Sequence, residues 1–164
     1  DLIYAQTWNP RWGHYGGDSQ GLVNMTFENG VKAFYEGAKT NAVGFNGWSQ
    51  EYIRAECEFA SLIMDNRKLE RFPHQAEERS VYTREGEGES IPLREQAKWK
   101  DAWLVEKFVH WLDGGEAMET NIQANLQSVA LIFAASESNR LGQAVKVQDF
   151  LAEAQQRAIE ELTA

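Results

Sequence analysis

Leu22-Val23-Asn24-Met25-Thr26-Phe27-Glu28-Asn29-Gly30-Val31-Lys32-Ala33-Phe34-Tyr35-Glu36-Gly37 is the stretch whose reading decides the fold. Two apolar-rich runs flank Asn29-Gly30, a pair that tolerates positive φ and so favours a tight hairpin. A two-residue loop pairs Phe27 with Lys32, Met25 with Phe34 and Val23 with Glu36. Alternation then places Val23, Met25, Phe27 and Phe34 on one face, which is expected to meet helices. Leu22, Asn24, Thr26, Val31, Ala33 and Tyr35 fall on the other. That second face has too little charge for full solvation, so it is expected to be an interface with another subunit.

Working outward, residues 51–59 alternate Ile53, Ala55, Cys57 and Phe59 with Tyr52, Arg54, Glu56 and Glu58, as a strand does. Strands over 61–65 and 68–72 flank an Asp65-Asn66 turn, and 74–97 reads as a surface excursion with a short strand near Val81-Tyr82. Three helices follow. The first, over 99–113, carries Leu104, Val105, Phe108, Trp111 and Leu112 on one stripe, ends at Gly114-Gly115, and is expected to lie on the sheet. The second opens at Thr120, with Gln123 completing a capping box, and uses Ile122, Leu126, Val129 and Phe133 as its seam. After a short strand at 144–147, Asp149 is placed to cap a last helix from Phe150. Strands first and helices last predict an α+β domain, a mostly antiparallel open β-sheet with helices packed on one face, over 1–164 as a single domain.

The 164 residues hold 16 Lys plus Arg against 25 Asp plus Glu, a net charge of −9 that repels phosphate backbones and anionic lipid. Nucleic acid and membrane surfaces are thus excluded as expected partners. A single cysteine, Cys57, expected to be half-buried, fits a reducing cytoplasmic setting, and no apolar run approaches the roughly 20 residues of a membrane helix. The chain opens inside a strand without Met, so it is expected to be a fragment of something longer.

The run from Thr7 to Gln20 is the candidate site. Loops pay backbone entropy, and this one spends Trp8 and Trp12 together with Asn9, Arg11, His14, Tyr15 and Asp18. Indole faces stack on sugar C–H surfaces, and the polar side chains offer directional hydrogen bonds to hydroxyls. The same residues also suit packing under a sheet edge or a subunit contact, and both readings stand. No second His or Cys lies at ligand spacing from His14, so no metal site is expected. His74 is expected to be solvated and His110 to be a satisfied helix residue. Glu56 and Glu58 resemble a carboxylate pair but are read as a charged strand face. Gly86-Glu87-Gly88 lacks the third glycine of a dinucleotide loop, and no catalytic set is complete.

Gly17-Asp18-Ser19-Gln20-Gly21-Leu22 leading into Met25 to Val31, the strands Tyr52 to Met64, the helix ending Phe108-Val109-His110-Trp111-Leu112-Asp113-Gly114-Gly115, and Asn125 to Ser138 come in an order. That order resembles the carboxy-terminal domain of the Gfo/Idh/MocA (glucose-fructose oxidoreductase / inositol dehydrogenase-like) oxidoreductases. The resemblance implies a parent with a Rossmann domain binding NAD or NADP, and a Glu-Lys-Pro lysine with a helical His and Asp handling substrate. This sequence has neither Glu-Lys-Pro nor G-x-G-x-x-G, so no catalytic residue carries over. By resemblance the sheet forms one wall of a sugar, polyol or cyclitol pocket, and its open face builds a homodimer or homotetramer. The fragment alone is expected to bind no nicotinamide cofactor. A stand-alone carbohydrate-binding or dimerisation module, or a structural scaffold, is the alternative.

Overall fold

A computed structural model describes residues 2–41, 51–74 and 88–163. The expected α+β class is observed, but the strands form two four-stranded antiparallel sheets, each in one of two compact units. The first unit comprises Asp1–Ala42 and Lys100–Ala164, the second Val43–Trp99.

In the first unit, β1 (Leu2–Trp8), β2 (Gln20–Thr26), β3 (Lys32–Ala38) and β8 (Val145–Lys146) lie in the order β3-β2-β1-β8. The hairpin forms, one residue out of its expected register: Met25 pairs with Ala33, Val23 with Tyr35 and Leu22 with Glu36. Its loop has three residues, because Phe27 N donates to Val31 O at 2.9 Å and Gly30 N to Phe27 O at 2.9 Å. Gly30 stands at φ 85°, whereas Asn29 does not enter the left-handed region and instead accepts from Val31 N at 3.1 Å. A turn closed by one left-handed glycine is the common three-residue hairpin; the two-residue form needs positive φ twice.

One residue of slip moves every β3 side chain to the other face. The expected grouping of Leu22, Asn24 and Thr26 with Val31, Ala33 and Tyr35 is therefore corrected. Ala33 and Tyr35 share the face of Val23 and Met25, Val31 sits at the turn, and Leu22, Asn24 and Thr26 share theirs with Lys32, Phe34 and Glu36.

The core lies between this sheet and α2 (Ile122–Leu141), where Ile3, Ala130, Ala134 and Val147 are buried and Val23, Met25, Leu131 and Val145 close around them. Asn121, not Thr120, caps α2, its side chain accepting from Ala124 N at 3.0 Å; Gly142 ends the helix at φ 65°. The seam also differs from expectation. Ala130, Ala134 and Ser138, one turn apart, face the sheet, while Ile122, Leu126, Val129 and Phe133 stay exposed. Small side chains let the helix axis approach β1 closely; the large ones would hold it off.

Helix α3 (Val147–Thr163) begins directly from β8, so Asp149 lies in its first turn rather than at its cap, and Phe150 and Leu151 pack on the core. Helix α1 (Lys100–Leu112) ends as expected, with Gly114 at φ 88°. Contrary to expectation it has no buried residue and no extensive packing on the strands or helices of its unit.

The second unit is the meander β4 (Ile53–Glu56), β5 (Ala60–Asp65), β6 (Lys68–Pro73) and β7 (Glu89–Ile91). Asn66 and Arg67, at φ 47° and 65°, make the β5–β6 turn between the paired Asp65 and Lys68. β7 occupies part of the segment expected to be a surface excursion, and the Val81-Tyr82 strand lies outside the described residues. β4 is exposed along its length and stops at Glu56; Cys57 is exposed rather than half-buried and Glu58 falls in a bend, so Glu56 and Glu58 share no strand face. No described helix is long and apolar enough to cross a membrane.

Candidate functional site

The run singled out in the sequence leaves β1 at Trp8 and re-enters the sheet at Gln20, directly opposite Trp8 in the ladder. Residues 9–19 are thus a loop standing on a closed strand pair, and Ser19 N donates to Trp8 O at 3.2 Å to seal its base.

Asn9 organises the interior. Its Nδ2 donates to Tyr15 O at 2.9 Å and its Oδ1 accepts from Ser19 Oγ at 2.7 Å. Gly13 is required beside it, since a Cβ there would lie 2.0 Å from Asn9 Oδ1. Asp18 accepts a hydrogen bond from Thr7 Oγ1. Ser19, the buried polar residue of the loop, also lies 3.3 Å from Thr40 Oγ1, and Gln20 Nε2 donates to Thr40 Oγ1 at 2.9 Å and Asn41 Oδ1 at 3.0 Å. Trp12 Nε1 donates to Thr40 O at 3.0 Å, tying the loop to the end of β3.

This wiring divides the candidate residues. Asn9 and Asp18 are spent on the loop itself. Trp12, 72% exposed with only its Nε1 engaged, presents its indole to solvent. His14 and Tyr15 stack at 4.5 Å between ring centroids, and they and Arg11 are exposed. Trp8 faces elsewhere, lining an open depression of about 380 Å³ with Tyr4, Gln6, Leu22, Asn139 and Gly142. Thr7 also lines it, while Asn9, Arg11, Trp12, His14, Tyr15 and Asp18 do not. The arrangement can bind a polar ligand against aromatic rings. Thr40 escaped the sequence reading, and Ser19 and Gln20 stood in the candidate run without a role of their own; isolated polar residues carry no periodic signal.

Among the described residues no three His, Cys, Asp or Glu side chains come together to hold a metal ion. His74 has its ring Nε2 3.1 Å from Cys57 O and His110 packs on Gly115. A dinucleotide pyrophosphate needs a glycine loop between a strand and a helix amino terminus. α2 opens on Asn121 and α3 runs straight on from β8 with Asp149 in its first turn, so neither fits that group.

No family model matches the sequence. The uncharacterized protein y4oX from Sinorhizobium fredii (strain NBRC 101917 / NGR234) is 47% identical over 149 residues, covering 91% of this chain and 41% of that protein. An oxidoreductase from Agrobacterium radiobacter, in complex with NAD+, L-tartaric acid and magnesium, superposes with a TM-score of 0.65 at 17% identity. The match covers 90% of this chain and 43% of that one. An NAD-binding protein from Listeria innocua superposes with a TM-score of 0.59 at 18% identity, over 88% and 40% of the two chains. The chain therefore has the fold of a part of NAD-binding oxidoreductases and spans about two-fifths of the length of these relatives.

Proposed function

We propose that this chain is the carboxy-terminal domain of a Gfo/Idh/MocA-type NAD(P)-dependent oxidoreductase acting on a sugar, polyol or cyclitol. The observation that carries the reading is the match of nine-tenths of the chain to two-fifths of an NAD+-bound oxidoreductase, agreeing with the order of motifs in the sequence. L-Tartaric acid in that neighbour is itself a small polyhydroxylated molecule, which supports a hydroxyl-rich substrate here.

In this reading the loop after β1 is one wall of the substrate pocket. Trp12, Tyr15, Arg11 and His14 meet the substrate, and Asn9 and Asp18 hold the loop in shape. The nicotinamide cofactor sits in the remainder of a longer protein, because the starts of α2 and α3 do not suit a pyrophosphate. The open sheet face, with Leu22, Asn24, Thr26 and Phe34, forms the homo-oligomer contact. Phe34 is 63% exposed on that face, a cost that stacking on a second copy removes. The protein works in the cytoplasm.

Calorimetric titration with NADH tests the assignment. The full-length gene product should bind it saturably and these 164 residues should not. Saturable binding below about 0.1 mM by the 164-residue chain overturns the reading.

A further inference from the structure

The loop after β1 treats its two permanent charges differently. Asp18, the one acidic residue between Asn9 and Ser19, is turned onto Thr7 Oγ1. Arg11 is left facing solvent, and among the described residues its guanidinium has no ion pair and no hydrogen bond. Its backbone position explains this. Pro10 O accepts from Gly13 N at 2.7 Å, which closes a turn with Arg11 and Trp12 as its two central residues. The central side chains of such a turn leave the chain from Cα atoms about 3.8 Å apart, so Arg11 and Trp12 stand side by side.

A solvated arginine on a protein surface is ordinary; a turn built to present one beside a moored indole is not. Asn9 Oδ1 fills the space under Gly13, where a Cβ would lie 2.0 Å away, and Asn9 Nδ2 holds the next bend through Tyr15 O at 2.9 Å. Trp12 Nε1 donates to Thr40 O at 3.0 Å, so the ring is held by its one polar atom while the residue stays 72% exposed. A platform already in place loses little side-chain freedom when a ligand arrives. The indole offers a flat apolar face that suits the C–H surface of a sugar. The guanidinium beside it offers a planar fork of donors that takes a carboxylate through two parallel hydrogen bonds. A ligand that uses both has an anionic group one substituent away from an apolar ring face or carbon chain.

We infer that Arg11 and Trp12 select a carboxylated sugar, a uronic or aldonic acid, with the guanidinium on the carboxylate and the indole against the carbon skeleton. The inference rests on the reading of this loop as a substrate wall, and it names the class of substrate. One guanidinium balances one negative charge. A phosphate ester carries nearly two at neutral pH and would meet more repulsion from a chain of net charge −9, so the carboxylate is the favoured anion. Arg11 is in this account a specificity residue: it separates an acid from the neutral sugar of the same skeleton, and no bond forms or breaks on it.

Matched probes test this in the full-length gene product with NADH present: D-glucuronate against D-glucose, D-galacturonate against D-galactose, and D-gluconate against D-glucitol. The members of each pair differ by one carboxylate. In calorimetric titration the acid of at least one pair should bind about tenfold or more tighter than its neutral partner. Arg11→Gln should bring that ratio close to one, and Arg11→Lys should keep part of it, because an ammonium carries the charge without the fork. Equal binding within every pair, no acid bound below about 10 mM, or a preference that survives Arg11→Gln overturns the inference. So does tighter binding of D-glucose 6-phosphate than of D-glucuronate, which gives the site to phosphate. NADH titration of the same protein separates the two readings. NADH binding with no preference for acids sinks the substrate class alone, and an Arg11-dependent preference without NADH binding sinks the oxidoreductase assignment alone.

Discussion

Ser138 Oγ accepts a hydrogen bond from Ala5 N at 3.0 Å and donates to Gln143 O at 2.6 Å, in a site closed to solvent. β8 pairs only with Leu2 and Ile3, so among the described residues the outer edge of β1 has no strand beside it beyond Ile3. The last turn of α2 takes over: Ser138 receives the Ala5 amide, and Asn139 Oδ1 the Thr7 amide at 2.8 Å. Unpaired edges invite strand addition, and these side chains close this one. Ser138→Ala leaves a buried amide and a carbonyl short of a partner and should cost about 1–3 kcal/mol in urea unfolding. Ser136→Ala, which removes an exposed hydroxyl bonded to Ile132 O, should change stability by less than about 0.5 kcal/mol.

Asn9 and Gly13 should behave as one unit. Gly13→Ala drives a methyl into Asn9 Oδ1, and Asn9→Ala removes the links to Tyr15 and Ser19. Either change should loosen the loop without unfolding the sheet. Trypsin should then cut after the exposed Arg11 several times faster while the far-ultraviolet circular dichroism stays unchanged. Unchanged cleavage in both variants would show that the loop does not depend on Asn9.

The corrected register redistributes the effects of charge on the sheet. Thr26→Lys and Phe34→Glu lie on the open face and should shift sedimentation toward monomer with the fold intact. Met25→Lys faces the core cluster and should unfold the unit. An unmutated chain that is monomeric at tens of micromolar removes the open face as a self-association surface for these residues.

The location of the hairpin was legible in Asn29-Gly30, but its register was not. An Asn-Gly pair serves either as both residues of a two-residue loop or as the end of a three-residue one, and only the hydrogen bond from Phe27 N to Val31 O decides. The carboxy-terminal ends of α1 and α2 were readable within a residue or two, because Gly114 and Gly142 take left-handed φ, whereas the start of α3 was placed three residues late. The α2 seam was misread because periodicity ranks Leu126 and Phe133 above alanines, while β1 demands small residues. At the candidate site the aromatic loop was evident. That Asn9 and Asp18 serve the loop was not, since a hydrogen bond to Ser19 or Thr7 leaves no mark in the order of residues.

Glu137 accepts from Arg140 Nε at 2.7 Å and Nη2 at 2.6 Å, and this hydrogen bonding, with the nearby charge of Arg140 and Arg157, holds its carboxyl below the usual carboxylate range. A depressed folded-state pKa contributes stability above the unfolded value and loses it as pH falls through the folded value. The pair is exposed, so the effect is small. Glu137→Gln should lower the thermal midpoint slightly at neutral pH, and the gap should close as pH drops below the carboxylate range. A gap that widens in acid would contradict the assignment.

The seam of α2 is tested most sharply by two neighbouring residues of the helix. Ala134 has no solvent-accessible surface and packs with Ile3 and Val147, while Phe133 is 59% exposed on the adjacent flank. Ala134→Leu forces extra methylenes into a filled contact between α2 and the sheet and should cost about 1–3 kcal/mol. Phe133→Ala removes a ring that touches little of the buried core, so in the 164-residue chain it should cost less than about 1 kcal/mol. Size alone predicts the reverse order, because deleting a buried phenyl ring ordinarily costs about 3–5 kcal/mol. Urea denaturation of the two variants measures the difference directly. If Phe133→Ala proves the more damaging in the 164-residue chain, the ring is buried in solution and α2 presents its large residues, not its alanines, to the core.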